Sequence, residues 1–427
     1  MAETTAIGNI SGDHVAPRAQ QHRDFVPLLL LCTPIASASL LSKFGIPGYA
    51  NLGIGIALPL LMLVLAFGII NDGVRIEPRR LGFYGIALSV LILPQLLQAG
   101  TFSLNSLMML ALLHLPYVLV VKRGDELAPK ALTFFLYIAR MLAVLAVAQY
   151  VLQGIVDKAF LYPIDNLIPA DFVVQGFNAQ GTIKYGSDQI RATGMFMLEP
   201  SFLTQFLAVA IVAESCISRR LWPLGLYTVG IMMAHAGTGV LVLLICMPFV
   251  VFIHRRWDLL VLGILGIVAV LGFGEVLGID FLTSRTNEFN DPNSSGFARF
   301  VGGFYMFEQL LWPSLPRALF GYGAGAFMDY VHLFQTEVAD MPMTKMIFEF
   351  GLVGAFTYFA FIATSLFSSP LPRMLSVAIG LTFLLNGMYV PFSHGLALGL
   401  LVLTSTRKVQ TVNATTVPLK ATRVARA

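Results

Sequence analysis

The amino-acid sequence predicts an all-α membrane protein, a polytopic bundle of about twelve transmembrane helices. Three observations predict this class. Apolar residues make up 57% of the 427 residues, and the mean hydropathy is +0.78. Charged residues make up only 12%, about half the share of a soluble domain. The apolar residues are also gathered into runs that approach the roughly 20 residues a helix needs to cross a bilayer.

The same composition excludes several classes of protein. A water-soluble enzyme or a disordered chain would need far more charge than this sequence has. The net charge is only +4, and no basic stripe follows any predicted helix, so we expect no nucleic-acid partner.

Twelve apolar segments predict the spans, and polar residues or turns separate them. The seventh, eighth and twelfth segments are shorter than a bilayer requires, so the expected count is twelve, give or take one. The predicted spans are residues 25–43, 49–71, 81–99, 102–121, 131–153, 195–217, 221–234, 238–253, 258–277, 343–367, 374–391 and 394–406.

The positions of lysine and arginine predict the orientation. About two thirds of the 27 Lys and Arg residues lie in segments that face the same side as the N-terminus, which marks that side as cytoplasmic. We therefore expect a cytoplasmic N-terminal tail over 1–24, a transmembrane domain over 25–406 and a cytoplasmic C-terminal tail over 407–427.

Two long segments, 154–194 and 278–342, are predicted to form large loops on the outer side. More than half of the 23 acidic residues lie in these loops or close to them. Such loops suit a carbohydrate or phosphate site, although a simple solvated loop is the alternative. In the second loop, Phe297–Trp312 has the apolar spacing of an amphipathic interfacial helix that ends at Pro313.

The glycine-rich stretch Gly321–Ala326 follows this predicted helix. It has the spacing GxGxxA, but it follows no strand of a soluble sheet, so it does not fit a dinucleotide site. The glycines instead predict a tight turn or a close approach of two backbones.

Arg191 and Glu199 flank the predicted start of the sixth span. Pro200 suits the first turn of a helix, and the free N–H groups there favour an anion. The planar guanidinium of Arg191 could bind the oxygens of a diphosphate. Glu199 could also be an ordinary acidic residue that complements the helix dipole.

The second loop adds further candidates. Arg285 and Arg299 could together bind a diphosphate, although both could simply extend to the membrane interface. Asp340, with Lys345 near it, lies just before the tenth span, where a carboxylate could act as a base on a sugar hydroxyl. Its structural alternative is a helix N-cap.

Two further candidates lie within a predicted span or at its end. Arg140 is in the middle of the fifth span, where it could bind a lipid phosphate or form a structural ion pair with Glu214. His235 lies at the outer end of a short span. The sequence contains no metal-ligand spacing and no nucleotide-phosphate loop, so we expect no metal and no cofactor.

Several motifs resemble those of a known family. Arg191-x-x-Gly194-x-Phe196-x-x-Glu199-Pro200-Ser201 is similar to the Arg…Gly…Glu-Pro-Ser signature of bacterial exopolysaccharide polymerases, which belong with the O-antigen ligases and Wzy-type O-antigen polymerases. The resemblance extends over roughly 130–400. Its other motifs are Ser294-Ser295-Gly296-x-x-Arg299, Phe320-Gly321-Tyr322-Gly323, Gly351-Leu352-Val353-Gly354 and, in place of a Ser-x-Ser-Arg-like turn, His235-Ala236-Gly237-Thr238-Gly239.

One departure bears on the subfamily. The ligases carry a histidine eleven positions before the Gly-x-x-Gly motif, whereas Asp340 stands at that position here. The resemblance therefore favours a polymerase over a ligase, with a carboxylate in place of a histidine.

The resemblance implies a GT-C-like glycosyltransferase in the bacterial inner membrane, with its active site on the periplasmic face. It implies transfer of a growing glycan from undecaprenyl diphosphate to a lipid-linked repeat unit, inverting and metal-independent. Asp340 or Glu199 would be the catalytic base. The cationic candidates Arg191, Arg299, Arg285, Arg140, His235 and Lys345 would bind diphosphate or substrate.

Partners and alternatives follow from the same resemblance. The expected partners are undecaprenyl-diphosphate-linked oligosaccharides and membrane lipid, and the sequence leaves a polysaccharide co-polymerase open. A ligase that transfers the glycan to another acceptor is one alternative. A transporter of lipid-linked oligosaccharides, which is not an enzyme, is the other.

Overall fold

The computed structural model describes residues 17–50, 55–97, 102–183, 188–273, 290–292, 294–334 and 338–405. Helices dominate this part of the chain. The helices of its first half are α1 (Pro17–Ser39), α2 (Ala57–Ile70), α3 (Pro78–Leu97), α4 (Leu104–His114), α5 (Gly124–Val151), α6 (Lys158–Leu161) and α7 (Pro163–Leu167).

The second half of the chain continues the helical bundle. Its helices are α8 (Pro200–Ile217), α9 (Trp222–Ala234), α10 (Gly237–His254), α11 (Trp257–Phe273), α12 (Ser295–Phe300), α13 (Gly302–Met306), α14 (Leu315–Phe320), α15 (Ala326–Val331), α16 (Pro342–Leu366), α17 (Arg373–Leu385) and α18 (Pro391–Leu396). Short 3₁₀ turns follow α4, α5 and α7, and π-helical turns follow α13 and α18; they cover Leu115–Val118, Leu152–Gly154, Ala170–Phe172, Phe307–Leu311 and Ala397–Val402.

Four helices in the described part of the chain are long and apolar enough to cross a membrane. They are α8, α10, α16 and α5 with its following turn, Gly124–Gly154. Six shorter apolar helices of 10–17 residues accompany them. The predicted helical membrane-protein class agrees with these helices, whereas the count of twelve spans stays a prediction.

Helix α8 is the centre of the bundle. Buried residues make up 89% of its spanning window, compared with 28% for α10. It packs against α5, α9, α10 and α17. Gly239 of α10 lies so close to α8 that a Cβ there would overlap the backbone of Thr204. This packing holds the N-terminus of α8, and with it Glu199, in a rigid frame.

Two sequence-based expectations about local structure are wrong. The fourth predicted span, 102–121, is not helical throughout, because Leu119–Val121 forms strand β2, which pairs antiparallel with strand β1 (Val74–Ile76). Pro116 and the β-branched valines that follow it disfavour continuation of the helix.

The predicted interfacial helix Phe297–Trp312 is likewise not a single helix. It consists of α12, α13 and the π-helical turn Phe307–Leu311, and the first break falls at Val301, immediately before the glycine pair Gly302-Gly303. A Cβ at Gly303 would overlap the side chain of Thr344 in α16, so the glycine permits this close contact. The helical stretch ends before Pro313, as predicted.

Helix α16 is interrupted at Gly351, where φ is 68° and ψ is −176°. Gly321, at the end of α14, has nearly the same conformation, with φ 76° and ψ −167°. Only glycine adopts this region readily. A Cβ on Gly321 would overlap the backbone of Glu349, and a Cβ on Gly351 would overlap the backbone of Leu319. The two glycines therefore face each other across a direct backbone contact.

This contact also satisfies the backbone at the break. The amides of Tyr322 and Gly323 donate to the carbonyls of Phe348 and Glu349, at 3.0 and 2.9 Å. Those carbonyls lie just before the interruption, where helical partners are lost. The prediction that Gly321–Ala326 serves close backbone packing is confirmed.

We predict that Gly321→Ala and Gly351→Ala each destabilise the protein by about 2–5 kcal/mol. A left-handed conformation costs an L-residue about 1–2 kcal/mol, and forced overlap adds about 1–3 kcal/mol. The measurement is thermal unfolding of the purified protein in detergent. Gly85→Ala in α3 is the matched control, because a Cβ there meets nothing within 4 Å. Equal unfolding temperatures for all three variants would show that the glycine contact is dispensable.

Candidate active site

Glu199 and Arg299 lie together at the N-terminus of α8. The Arg299 Nη2 atom is 4.0 Å from the Glu199 Oε2 atom, and about a quarter or less of either side chain is exposed. Glu199 also accepts hydrogen bonds from the backbone N–H of Asn178 (3.1 Å) and from the Ser201 hydroxyl (3.0 Å). Its carboxylate is thus held by groups from both predicted outer loops and from the helix itself.

Glu199 is the N-cap residue of α8 by position, with extended backbone, but its side chain caps no helical N–H group. Pro200 occupies the first helical position, as predicted. The carboxylate therefore turns away from the helix amides and toward Asn178 and Arg299. The carboxylate still lies at the positive end of the helix dipole, so a dipole role and a role beside Arg299 are both compatible with this geometry.

A backbone hydrogen bond holds the segment that contains Asp340 beside the segment that contains Arg299. The amide of Ala339 donates to the carbonyl of Ala298 at 3.0 Å, which joins the residues immediately before Asp340 and Arg299. The Asp340 side chain lies beside Gly387, 3.2 Å from where a Cβ on that glycine would be. The structure thus brings Glu199, Arg299 and Asp340 to one end of the bundle.

The electrostatic surroundings of Asp340 suit a proton acceptor. Burial raises the pKa of the Asp340 carboxyl above its usual value, and the nearby positive charge of Lys345 partly opposes this rise. A carboxylate with a raised pKa is a stronger base than an exposed aspartate. No side-chain bond to a helix amide is present at this N-terminus, so the N-cap alternative lacks its usual hydrogen bond.

Lys345 is almost completely buried one turn into α16, with 3% of its surface exposed. Its ammonium group pairs with Glu349 at 2.9 Å and lies over the rings of Phe327 and Tyr389. The predicted diphosphate ligand Lys345 is therefore near Asp340 but already neutralised by a partner. Its direct effect in the site is on the charge state of Asp340.

A buried amide network connects α8 to the segment beside Asp340. Gln205 and Asn386 exchange two side-chain hydrogen bonds, at 3.2 and 2.8 Å. Asn386 donates further to Ser393 (3.0 Å) and to the carbonyl of Thr382 (2.6 Å). Sequence reasoning missed this network. The one signal that could have revealed it is the presence of polar amide side chains within apolar runs.

Arg191 and His235 form a second group on the same side of the bundle. The Arg191 backbone is bonded to Gly181 (3.0 Å) and to the hydroxyl of Tyr162 (3.0 Å). His235 stacks on Tyr150, and its burial together with the charge of Arg191 lowers the pKa of His235 to about 4. His235 is therefore neutral at physiological pH and does not itself bind an anion by charge.

Arg140 lies far from these residues. It pairs with Glu214 at 3.2 Å, and its guanidinium lies over the ring of Trp222, 5.3 Å from the centroid. Glu214 is fifteen residues after Glu199 on α8, which corresponds to about 22 Å along the helix. The predicted ion pair with Glu214 is present, and the structure does not bring Arg140 to the other candidates. Arg285 lies outside the described residues.

A comparison with protein-family models finds no match, and a comparison with curated proteins finds no similar protein. The family resemblance of the short motifs therefore rests on those motifs alone.

We predict that Arg140 has a structural role. Arg140→Met would leave Glu214 buried without its partner and lower the free energy of unfolding by about 2 kcal/mol. The double variant Arg140→Met/Glu214→Gln should recover most of that loss. Unfolding in detergent measures both effects. A single variant of unchanged stability that no longer binds lipid diphosphates would instead support a binding role.

Proposed function

We propose that this protein is a polysaccharide polymerase, a GT-C-like glycosyltransferase of about twelve spans in the bacterial inner membrane. Its donor is a growing glycan on undecaprenyl diphosphate, and its acceptor is a repeat unit on a second lipid of the same kind. The observation that carries the proposal is the convergence of Arg299, Glu199 and Asp340 at one end of the bundle. They come from three distant parts of the chain and supply one cation and two carboxylates.

The chemistry needs little more than these groups. The acceptor hydroxyl oxygen attacks the anomeric carbon of the donor sugar and forms the new C–O bond. The bond from that carbon to the diphosphate oxygen breaks, and lipid diphosphate leaves with the electron pair. The acceptor proton passes to a carboxylate. Because attack and departure occur on opposite faces, the anomeric configuration is inverted.

We assign the base to Asp340, because its pKa is raised and because the Ala339–Ala298 hydrogen bond holds its segment beside that of Arg299. Arg299 would neutralise the charge that develops on the leaving diphosphate, which is usually the largest electrostatic contribution. Glu199, held by Asn178 and Ser201, would orient Arg299. Arg191 would be a second diphosphate ligand.

A lipid-linked substrate is supported by an apolar groove between α16 and α17. The groove has a volume of about 730 Å³ and extends from Met343, three residues after Asp340, to Phe367. As one straight helix this segment would be about 36 Å long, and the kink at Gly351 shortens it toward the ~30 Å thickness of the hydrocarbon layer, the depth that a polyprenyl chain would follow. We infer that the lipid tail lies in this groove with its diphosphate near Asp340 and Arg299.

The pairing of charges favours an enzyme over a transporter. A transporter would need ionisable groups along a path through the bundle. Within the described helices, Arg140 is paired with Glu214, and Lys345 is paired with Glu349. The carboxylates and arginines of the candidate site are instead gathered at one end.

The test is polymerisation by purified protein in detergent, supplied with the lipid-diphosphate repeat unit of its own host. We expect a ladder of products without nucleotide or metal. Asp340→Asn should lower the rate by about 10²–10⁴-fold and Arg299→Gln by about 10²–10³-fold. Asp125→Asn and Arg79→Gln, which make the same changes at exposed positions on the opposite side, should retain full rate.

Two other outcomes would replace the proposal. A folded protein that binds the lipid but makes no ladder, and that transfers the glycan to a different acceptor, would be a ligase. A protein that moves the lipid-linked glycan across vesicle membranes without forming a glycosidic bond would be a transporter.

The pH profile gives an independent prediction. Asp340 accepts a proton only as a carboxylate, so the rate falls as pH drops through its pKa. Because burial raises that pKa above 3.8, the acidic limb should lie above the range of an ordinary aspartate. Lys345→Met removes the charge that lowers the pKa and should move the limb to higher pH, whereas Lys345→Arg should not. If neither variant shifts the acidic limb of the pH–rate profile, Asp340 is excluded as the base.

A further inference from the structure

A polar cleft opens beside Glu199, formed by the end of α1 and the first predicted outer loop. Its volume is about 320 Å³, and its lining includes Lys43, Asp165, Gln175, Phe177 and Gln180. This volume is at the lower end of the range for small-ligand pockets, about 300–1,000 Å³. The cleft therefore suits one or two compact rings and is separate from the groove between α16 and α17.

The cleft is continuous with the candidate active site. Leu198 and Asn178 both line it. Leu198 immediately precedes Glu199, and the backbone N–H of Asn178 donates to the Glu199 carboxylate at 3.1 Å. A ligand in the cleft would thus contact the same loop that holds Glu199.

The charge of the cleft favours an uncharged ligand. Lys43 is 1% exposed, and its ammonium group forms an ion pair and hydrogen bond with Asp165. Among the described residues that line the cleft, these two are the only ionisable side chains, and their charges cancel. These described groups therefore offer a diphosphate no net positive charge.

The other lining groups suit a ring that has an apolar face and carries hydroxyl groups. The Gln175 side-chain amide donates to the carbonyls of Ala170 and Val173, and that of Gln180 donates to Asn166. These bonds fix both amides, and neither amide oxygen takes part in them. Phe177, half-buried against Phe202, adds an aromatic face.

We propose that this cleft binds the neutral sugar rings of the glycan next to the reacting bond and so selects which repeat unit is used. The inference rests on the proposed function for the identity of the reaction. The binding site itself can be tested without it.

The test measures binding of oligosaccharides released from the host's own surface polysaccharide by partial acid hydrolysis, to the full-length protein in nanodiscs. We expect Gln175→Ala/Gln180→Ala and Phe177→Leu each to weaken binding about tenfold. Gln309→Ala, a Gln→Ala change at an exposed residue outside the cleft, should bind as the wild type does.

A second variant tests the charge argument. Asp165→Asn would leave Lys43 unbalanced, so oligosaccharides that contain a uronic acid should gain affinity relative to neutral ones. A merely structural pair would change both affinities equally. An equal change in both affinities would overturn the proposal. Undetectable binding by the wild type, or normal binding by the cleft variants, would overturn it as well.

The polymerisation assay keeps the two proposals distinguishable. Normal binding without any product ladder would reject the polymerase function and leave the sugar site in place. A normal ladder from Gln175→Ala/Gln180→Ala with unchanged KM would reject the sugar site and leave the polymerase function in place.

Discussion

The backbone contact between Gly321 and Gly351 is the constraint on which the rest of the structure depends. A spanning helix that is interrupted must find other hydrogen-bond partners for its carbonyls, because the membrane interior offers none. Tyr322 and Gly323 provide them, but only if no Cβ separates the two backbones. The contact fixes the second predicted outer loop onto α16. It thereby helps to set the position of Asp340 at the start of that helix and of α12, which lies within the same loop.

The candidate site shows how polar groups are held at the end of an apolar bundle. Glu199 is fixed by Asn178 and Ser201, so its carboxylate does not depend on Arg299 alone for its position. The Gln205–Asn386 pair ties α8 to the segment beside Asp340, and its buried amides are mutually satisfied. Such preorganisation lets charged groups act without reorganising at the moment of reaction.

Much of the site could be predicted because its signals are local. Pro200 after Glu199 marks a helix start, and Pro342 after Asp340 marks another, so both carboxylates could be assigned to helix ends. The Arg140–Glu214 pair could be proposed because opposite charges within apolar spans usually pair with one another. The β1–β2 pairing and the division of Phe297–Trp312 were missed. In both cases a distant partner, namely the other strand or Thr344 in α16, decides the local conformation.

The sequence by itself determined the helical membrane class, the approximate positions of the helices and the candidate residues, because apolar runs and helix-start residues act over a few positions. Only the tertiary structure decided which candidates meet. Arg299 and Glu199 are a hundred residues apart. They meet where the Ala339–Ala298 hydrogen bond holds α12 against the segment before α16. The same packing buried Lys345, whose partner Glu349 lies one turn further along α16, and it separated Arg140 from the site. It also enclosed Lys43 and Asp165 in one cleft, since burying one charge requires a partner that chain spacing does not reveal.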